Sequence, residues 1–519
     1  MNRVLIIGQH VMKSDVMSQY NHLGFECVCA DAFEDVNVID SFNEFFVFPV
    51  DGLDDAAMLD RLEKLIKTLK QSNTQPLKQS KPRCHILLHD STVLWILKTI
   101  DTGSSLNDTV ELIPFTVEDN WAQKFAASLP VANHDLPPLD RIPIDANSDK
   151  TVHLLIFGAD NMGLALAHHA ALAAHFPNYQ RDNKLRTRIT IVDSDMKNKM
   201  GAFVARYRHL FEKSYYRFID AHSGKGQTMF HEPQYEGKRK DFVDVEWEFV
   251  EGDLNDKMLA GKLDLWIKDE NKILTIALCH ADGKRNTNIA LTLPESVFDN
   301  KVTVLVSVPN DDTISMLRKS PRFANIYAIG MENKGYDVRA AVMQVAKMVN
   351  YCYLCVSSNR GIPDEIEIDA AEREWRKIGS FRDRYSNMYN VLSMAGKMRS
   401  IGHEVSDWKQ FFAVSQDEVD LLSAVEHNRW SVERLMAGFR PPDDLERKEI
   451  SENIDKLANG ATDLPDKKKE YKNKNIHYDL CAYDELGIDK SGQNVRFYDF
   501  ALTACIPLIA NKYFEITAQ

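Results

Sequence analysis

The chain reads as an α/β protein: two tandem domains built on doubly wound parallel sheets, over residues 1–145 and 151–355, followed by a mainly α domain over residues 360–519. Three observations predict this. Short apolar runs of strand length alternate with helical patterns through the first 355 residues, as a parallel sheet covered on both faces requires. Two of those runs, ending at Gly8 and Gly158, pass through a glycine turn into a helical segment. Beyond residue 356 the strand-like runs give way to long helical periodicities.

A chain of 519 residues exceeds a single core, and its 44% hydrophobic and 27% charged residues are those of a soluble globular protein. A formal charge of −13 argues against a protein that mainly binds nucleic acid, and no nucleic-acid partner is expected. The N-terminal apolar run is too short for a signal peptide, and no window approaches the roughly 18 apolar residues of a membrane helix. Any link to a membrane would run through a partner, with no direct insertion. The eight cysteines offer two close pairs, Cys27 with Cys29 and Cys352 with Cys355, and neither has a second pair at zinc-ligand spacing. Free thiols in a reducing compartment, the cytoplasm, are expected, with no metal site.

In the first domain, strands are expected at Arg3–Ile7, Phe25–Ala30, Phe45–Val50, His85–His89 and Glu111–Phe115. Helices are expected at Met12–Leu23, Asp55–Leu69, Thr92–Thr99 and Asn120–Ala127. The turn after Gly8 has no further glycine, so side chains would crowd a phosphate, and the domain reads as structural or dimerising. Gln71–Pro82 is a Lys-rich loop and Asn133–Lys150 the natural linker.

The second domain has the stronger motif. Thr151–Asp195 runs strand, turn, helix, strand, acid, which is the order of the phosphate-binding half of a Rossmann unit. Gly158, Asp160 and Gly163 occupy its three glycine positions, so the middle one is an aspartate. Further strands are expected at Val245–Val250, Lys272–Leu278, Val302–Val308 and Ile326–Gly330, with helices at Asp282–Leu293, Asp311–Lys319 and Asp337–Cys355. Arg206–Lys240 is an insertion rich in aromatic and basic residues. In the last domain, helices are expected over Asp364–Trp375, Met388–Ile401, Gln416–Gly438 and Val495–Ile509, with Asp443–Asn475 a long charged loop holding one short helix.

Three uses of the Gly158 turn stay open. Asp160 can cap the helix, accepting from the Met162 or Gly163 N–H and filling the anion site itself. The site can take an adenosine or ribose without pyrophosphate, or a metal-bridged phosphate. It can bind NAD in the ordinary way, against repulsion from the Asp160 carboxylate. Asp193 and Asp195 could hold a ribose diol, and Asp253 and Asp282 fall at the same sheet edge. Four acids at one mouth disfavour an anion unless Lys197, Arg206 or Arg208 folds over it. No cofactor is demanded; NAD or another adenine nucleotide is the one the fold suggests and Asp160 opposes.

In the last domain His427, Trp430 and Arg434 share one helix face, which suits stacking on a base while pairing a phosphate. His477, Tyr483 and Lys490 are the expected partners across a pocket. The alternative is a buried Trp430 anchoring a small domain, with His427 bonded to a backbone carbonyl. The basic run Lys467–Lys474 reads as a solvated loop, with a phosphate clamp as its alternative. No nucleophile elbow, H-E-x-x-H, Walker turn or kinase signature occurs, and no catalytic residue is nominated.

The middle domain, through Gly158 to Gly163, Asp193, Gly252-Asp253 and Ala281-Asp282, resembles the TrkA-N or RCK nucleotide-binding domains that regulate potassium conductance. The last domain resembles the ryanodine-receptor repeat (RyR) domain. It does so through Glu426–Trp430, Arg434, Gly438-Phe439, Ile476–Leu486, Asp499 and Ile506-Pro507, departing at Phe439, Tyr478 and Ala482. These resemblances imply a cytoplasmic, homodimeric ligand sensor that reads a nucleotide-like small molecule through the RyR-like domain. It would relay the signal to a channel, a transporter or a defence effector. An NAD(P)-dependent oxidoreductase and a non-catalytic interaction scaffold are the alternatives.

Overall fold

The computed structural model describes residues 2–36, 42–72, 81–99, 110–128, 136–235, 241–358, 360–404, 408 and 412–517. Most of the Lys-rich segment Gln71–Pro82, the start of the Asn133–Lys150 linker and the end of the Arg206–Lys240 insertion lie outside the described residues.

Continuous apolar runs form strands buried on both faces, as parallel sheets require. Strands β1 (Asn2–Ile7), β2 (Phe25–Ala30), β3 (Glu44–Val47), β4 (Arg83–Leu87) and β5 (Glu111–Phe115) make a five-stranded sheet in the order β2-β1-β3-β4-β5. Every pairing in it is parallel. The second sheet has eight strands: β6 (Thr151–Phe157), β7 (Thr187–Asp193), β8 (Tyr216–Asp220), β9 (Gly226–His231), β10 (Val245–Glu251), β11 (Lys272–Leu278), β12 (Thr303–Ser307) and β13 (Ile326–Ile329). Their order is β13-β12-β11-β6-β7-β10-β8-β9, parallel except for the β8–β9 hairpin. Six of these eight were expected. The hairpin falls in the insertion, where exposed Gln227, Thr228, Met229 and Phe230 leave little apolar alternation to read. From β6 the chain builds toward β7 and β10 on one side and returns through β11 to β13 on the other. The switch point therefore lies beyond the carboxyl ends of β6 and β11.

Among the described helices of nine residues or more, α1 (Lys13–His22), α2 (Asp55–Ser72), α3 (Ser91–Thr99) and α4 (Val117–Ala127) belong to the first sheet's segment. In the second sheet's segment are α5 (Asn161–Ala173), α6 (Met196–Arg206), α7 (Lys257–Lys268), α8 (Gly283–Thr292) and α9 (Ala341–Ser357). The helical region holds α10 (Ile368–Lys377), α11 (Phe381–Ser400), α12 (Gln416–Met436), α13 (Asp444–Ala458), α14 (Arg496–Ala504) and α15 (Ile506–Thr517). Three expectations here need correcting. The stretch expected as a loop carries the fifteen-residue α13, started by the Asp443–Glu446 capping box and docked through Ile450 and Ile454. Its charge density masked its apolar spacing. Helix α11 begins at Phe381, ahead of the expected Met388, so Arg384–Asn387 lie inside it. The closing helix divides at Cys505, with Pro507 in the first turn of α15, where a missing N–H costs no hydrogen bond.

Polar bonds tie the parts together. Trp121 Nε1 on α4 donates to Met331 O at 2.9 Å, and Trp375 Nε1 on α10 donates to Glu111 Oε1 on β5 at 2.7 Å. On α11, Tyr385 Oη donates to Pro114 O at 3.1 Å and Arg399 Nε to Asp140 Oδ2 at 2.9 Å. The described part of the linker is clamped, since Arg141 also donates to Leu274 O at 2.8 Å and Lys301 O at 2.9 Å.

The glycines of the β6 turn answer to the chain's own packing. Gly158 has φ +99°, and a Cβ there would lie 2.5 Å from the His280 nitrogen; one on Gly163 would lie 2.1 Å from Gly158 O. Gly163→Ala is expected to destabilise the protein by about 1–3 kcal/mol through overpacking, read as a lower denaturant midpoint at unchanged slope.

Candidate functional site

Two places were nominated, and their chemistry differs. At the switch point Asp193 ends β7, and its carboxylate accepts from Ala159 N at 2.9 Å and Asp195 N at 3.0 Å. Lys199, on the first turns of α6, donates to Asp193 Oδ2 at 2.9 Å and Asp160 Oδ1 at 3.0 Å, while Asp160 Oδ2 accepts from Ala281 N at 2.9 Å. Asp160 does hold the N-cap position of α5, but it makes no capping bond to Met162 or Gly163. Lys199 and the β11 loop draw its carboxylate across the crevice instead. Burial would raise Asp193, but the Lys199, Ala159 and Asp195 bonds outweigh it and hold the carboxyl below its ordinary range.

The other acids serve their own loops. Asp253 accepts from Asn255 N at 2.7 Å, Asp282 caps α8 through Lys284 N at 2.9 Å, and Asp195 accepts from Asn198 Nδ2 at 2.7 Å. None of the three cations considered covers the mouth by a side-chain bond. Arg206 turns to Thr92 and the Trp95 ring, Arg208 pairs with Glu212, and Lys197 uses its backbone N–H on Glu251. Sequence reading missed Lys199, whose only signal was a position one turn inside the helix that follows Asp193.

The second place is built on α12. Ser415 and Glu418 form its capping box. Its middle carries five charged or titratable side chains that are all buried: Glu426, His427, Arg429, Glu433 and Arg434. Glu426 accepts from Arg429 at 2.8 Å and Asn390 at 2.8 Å and is also bonded to Lys397. Glu433 accepts from Arg429 at 2.8 Å and Ser386 at 3.1 Å. Burial would raise Glu426, yet Arg429 and Lys397 outweigh it and pull the carboxyl down to about 2. His427 bonds on both sides, Nε2 to Cys481 O at 2.9 Å and Nδ1 to Asp499 Oδ2 at 3.1 Å. A carbonyl can only accept, so Nε2 carries a proton, and the carboxylate favours a second one on Nδ1. Burial would lower this imidazole, but its bonds to Asp499 and Cys481 O push it up to about 10.

Beside this network lies a cavity of about 760 Å³. One wall is α9 and α11, with Asn350, Tyr353, Asp383 and Ser386; the other carries Trp430, Arg434, Lys468, Lys472, His477 and Tyr498. Of the six residues expected around a pocket, five line it: His427, Trp430, Arg434, His477 and Lys490. Tyr483 is not among its lining residues; its ring packs 5.8 Å from that of His427, and Arg496 covers it at 5.2 Å. Lys490 is tied to Asp466 at 3.0 Å. The His477 ring meets the Trp430 ring edge-to-face at 4.8 Å, and the Arg434 guanidinium sits 5.8 Å from the Trp430 ring centre. Sequence reading missed Lys468 and Lys472 as individuals. A run of lysines does not show which two turn inward from a six-residue helix, Lys467–Lys472.

Comparison with protein-family models, with curated proteins and with solved structures gives no match.

The folded-state value of His427 lies above its ordinary 6.5, so the stabilisation it brings is complete below about 6.5 and is lost as pH rises toward about 10. The gap in unfolding free energy between the wild type and His427→Gln should therefore be wide at pH 6 and narrow by pH 10 in urea titrations. A gap that stays constant would mean that the imidazole is neutral in the fold.

Proposed function

We propose that the chain is a ligand-sensing regulator that binds a nucleotide or nucleotide-derived molecule in the cavity between α9, α11 and α12. The observation that carries this is the pairing of a half-buried Trp430 ring with the Arg434 guanidinium and the His477 edge on one wall of a 760 Å³ space. Pockets for small molecules span roughly 300–1,000 Å³ and join apolar surface to a few placed polar groups. An aromatic face accepts any base, and a guanidinium beside it supplies charge for a phosphate.

The resemblance to RyR and TrkA-N or RCK domains points the same way, toward a cytoplasmic homodimer acting on a channel, transporter or effector. No described helix is long and apolar enough to cross a membrane, so contact with a channel would be made by docking. The switch-point crevice is a poorer site, because Asp160 and Asp193 share one ammonium there and already hold the Ala281 and Ala159 N–H groups. That weighs against an NAD(P)-dependent oxidoreductase.

Thermal-shift titration of the full chain with AMP, ATP, ADP-ribose, NAD and cyclic oligonucleotides tests the proposal. A true ligand at a hundred times its Kd adds about 2.7 kcal/mol of stability. Trp430→Ala should weaken its binding by roughly 5- to 150-fold, the equivalent of about 1–3 kcal/mol of base stacking. A shift that survives Trp430→Ala and disappears in Asp193→Asn would move the site to the switch point, and a flat response to the whole panel would leave a scaffold.

A further inference from the structure

We propose that one end of this cavity is an oxyanion subsite, formed by Arg434, Lys472 and His477, which receives a phosphate group of the ligand. The proposal rests on the cavity being the binding site and adds where the charge of the ligand must sit.

Three observations converge on that end. The His477 side chain is 7% exposed and lines the cavity, and its buried Nδ1 makes no hydrogen bond, the nearest carboxylate oxygen, Asp479 Oδ2, lying 3.8 Å away. Arg434 is 8% exposed and its buried Nε makes no hydrogen bond, lying 3.6 Å from Glu433 Oε1, while an Nη donates to Ser386 Oγ at 3.2 Å. Lys472, an exposed residue, lines the same space, and its ammonium has no hydrogen-bond or ion-pair partner among the described residues. Arg434 and His477 meet around shared rings, since both pack on Trp430 and both lie 5.8 Å from Phe439. Buried donors that make no hydrogen bond are costly, and here two of them, on Arg434 and His477, face one space beside an unpaired ammonium.

The surrounding charges support an anion. Burial lowers His477 first, and Lys472, Arg434, Lys468 and His427 lower it further. Burial likewise lowers Lys472, with Arg434 and Arg382 adding to the effect and Asp383 opposing it. The nearby acids are mostly committed: Asp479 to Lys468 at 2.8 Å, Asp466 to Lys490 at 3.0 Å, Glu433 to Arg429 at 2.8 Å and Asp499 to His427 at 3.1 Å. A tetrahedral oxyanion offers the several acceptors that a guanidinium, an ammonium and an imidazole N–H can share, and charge-assisted bonds of this kind are the strong ones.

The test uses the full chain with AMP, adenosine and inorganic phosphate as probes at matched ionic strength. AMP is expected to bind at least about tenfold more tightly than adenosine, from hydrogen bonds to a charged group. Phosphate should compete with AMP. Lys472→Met should remove most of that preference, Lys472→Arg should restore it, and Lys456→Met, at an exposed lysine outside the cavity lining, should leave it intact. Lys472 is the residue to change because its side chain reaches the cavity from the protein surface, so the fold should tolerate its loss. Equal binding of AMP and adenosine, unaffected by Lys472→Met, would overturn the subsite and leave the cavity as the ligand site. Phosphate binding that depends on Lys472, without any response to AMP or adenosine, would keep the subsite and sink the nucleotide proposal. No response to phosphate or AMP at millimolar concentration would overturn the subsite.

Discussion

A carboxylate cannot stay ionised in a protein interior unless cations and hydrogen bonds surround it, and Glu426 meets that condition between two helices. It is 1% exposed and bonded to Arg429, Lys397 and Asn390. Removing one member of such a set leaves a buried charge alone, at about 3–5 kcal/mol. The set joins α11 to α12, since Asn390 and Lys397 lie on one helix and Glu426 and Arg429 on the other. Its geometry fixes the rotation of α12 about its axis. That rotation points Trp430 and Arg434 into the cavity while His427, held between Asp499 and Cys481 O, closes the floor.

The same rule separates the two nominated sites. At the switch point, the N–H groups and the ammonium that a phosphate would meet are already satisfied by Asp160 and Asp193. The protein supplies its own anions there, and the crevice becomes part of the frame. In the α12 cavity the imbalance has the opposite sign: the Lys472 ammonium is unpaired among the described residues, and Arg434 Nε and His477 Nδ1 make no hydrogen bond, with carboxylates no nearer than 3.6 and 3.8 Å. A site complemented by its own chain needs no ligand, whereas an uncomplemented one is where a ligand gains most.

How much of this could be read in the sequence follows from how local each cause is. Strand β5 and strand β11 were legible to the residue, because short runs dominated by apolar residues and set off by polar ones have few alternatives. The β8–β9 hairpin was not, because its outer strand is mostly exposed and carries no burial signal. Helix α13 hid behind its charges, although the Asp443–Glu446 box marked its start. Gly158 and Gly163 were legible as a tight turn, but the backbone that demands Gly158, at Cys279 and His280, is more than a hundred residues away in the chain. The spacing of His427, Trp430 and Arg434 correctly gave one helix face. The alternative of a His427 bond to a backbone carbonyl is met by Cys481 O, but neither that partner nor Asp499 on the other nitrogen could be read, because both reach His427 from other segments.

The position of the cavity bears on how occupancy could be felt elsewhere. Its α11 wall contributes Asp383, Ser386 and Asn390, and the same helix is bonded to β5 of the first sheet through Tyr385 and to the inter-sheet segment through Arg399. Its α9 wall closes the second sheet's segment, and α12 reaches that segment through Asn428, 3.4 Å from Asp244. A ligand that bridges Arg434 to the α11 face would add to the contacts that hold α11 against both sheets. By linkage, any arrangement of the sheets that tightens this wall must tighten ligand binding by the same factor. Coupling of this kind needs no separate relay element, because α11 already contacts the cavity, the first sheet and the segment between the sheets, and a shift large enough to loosen one of these bonds would be felt at the others.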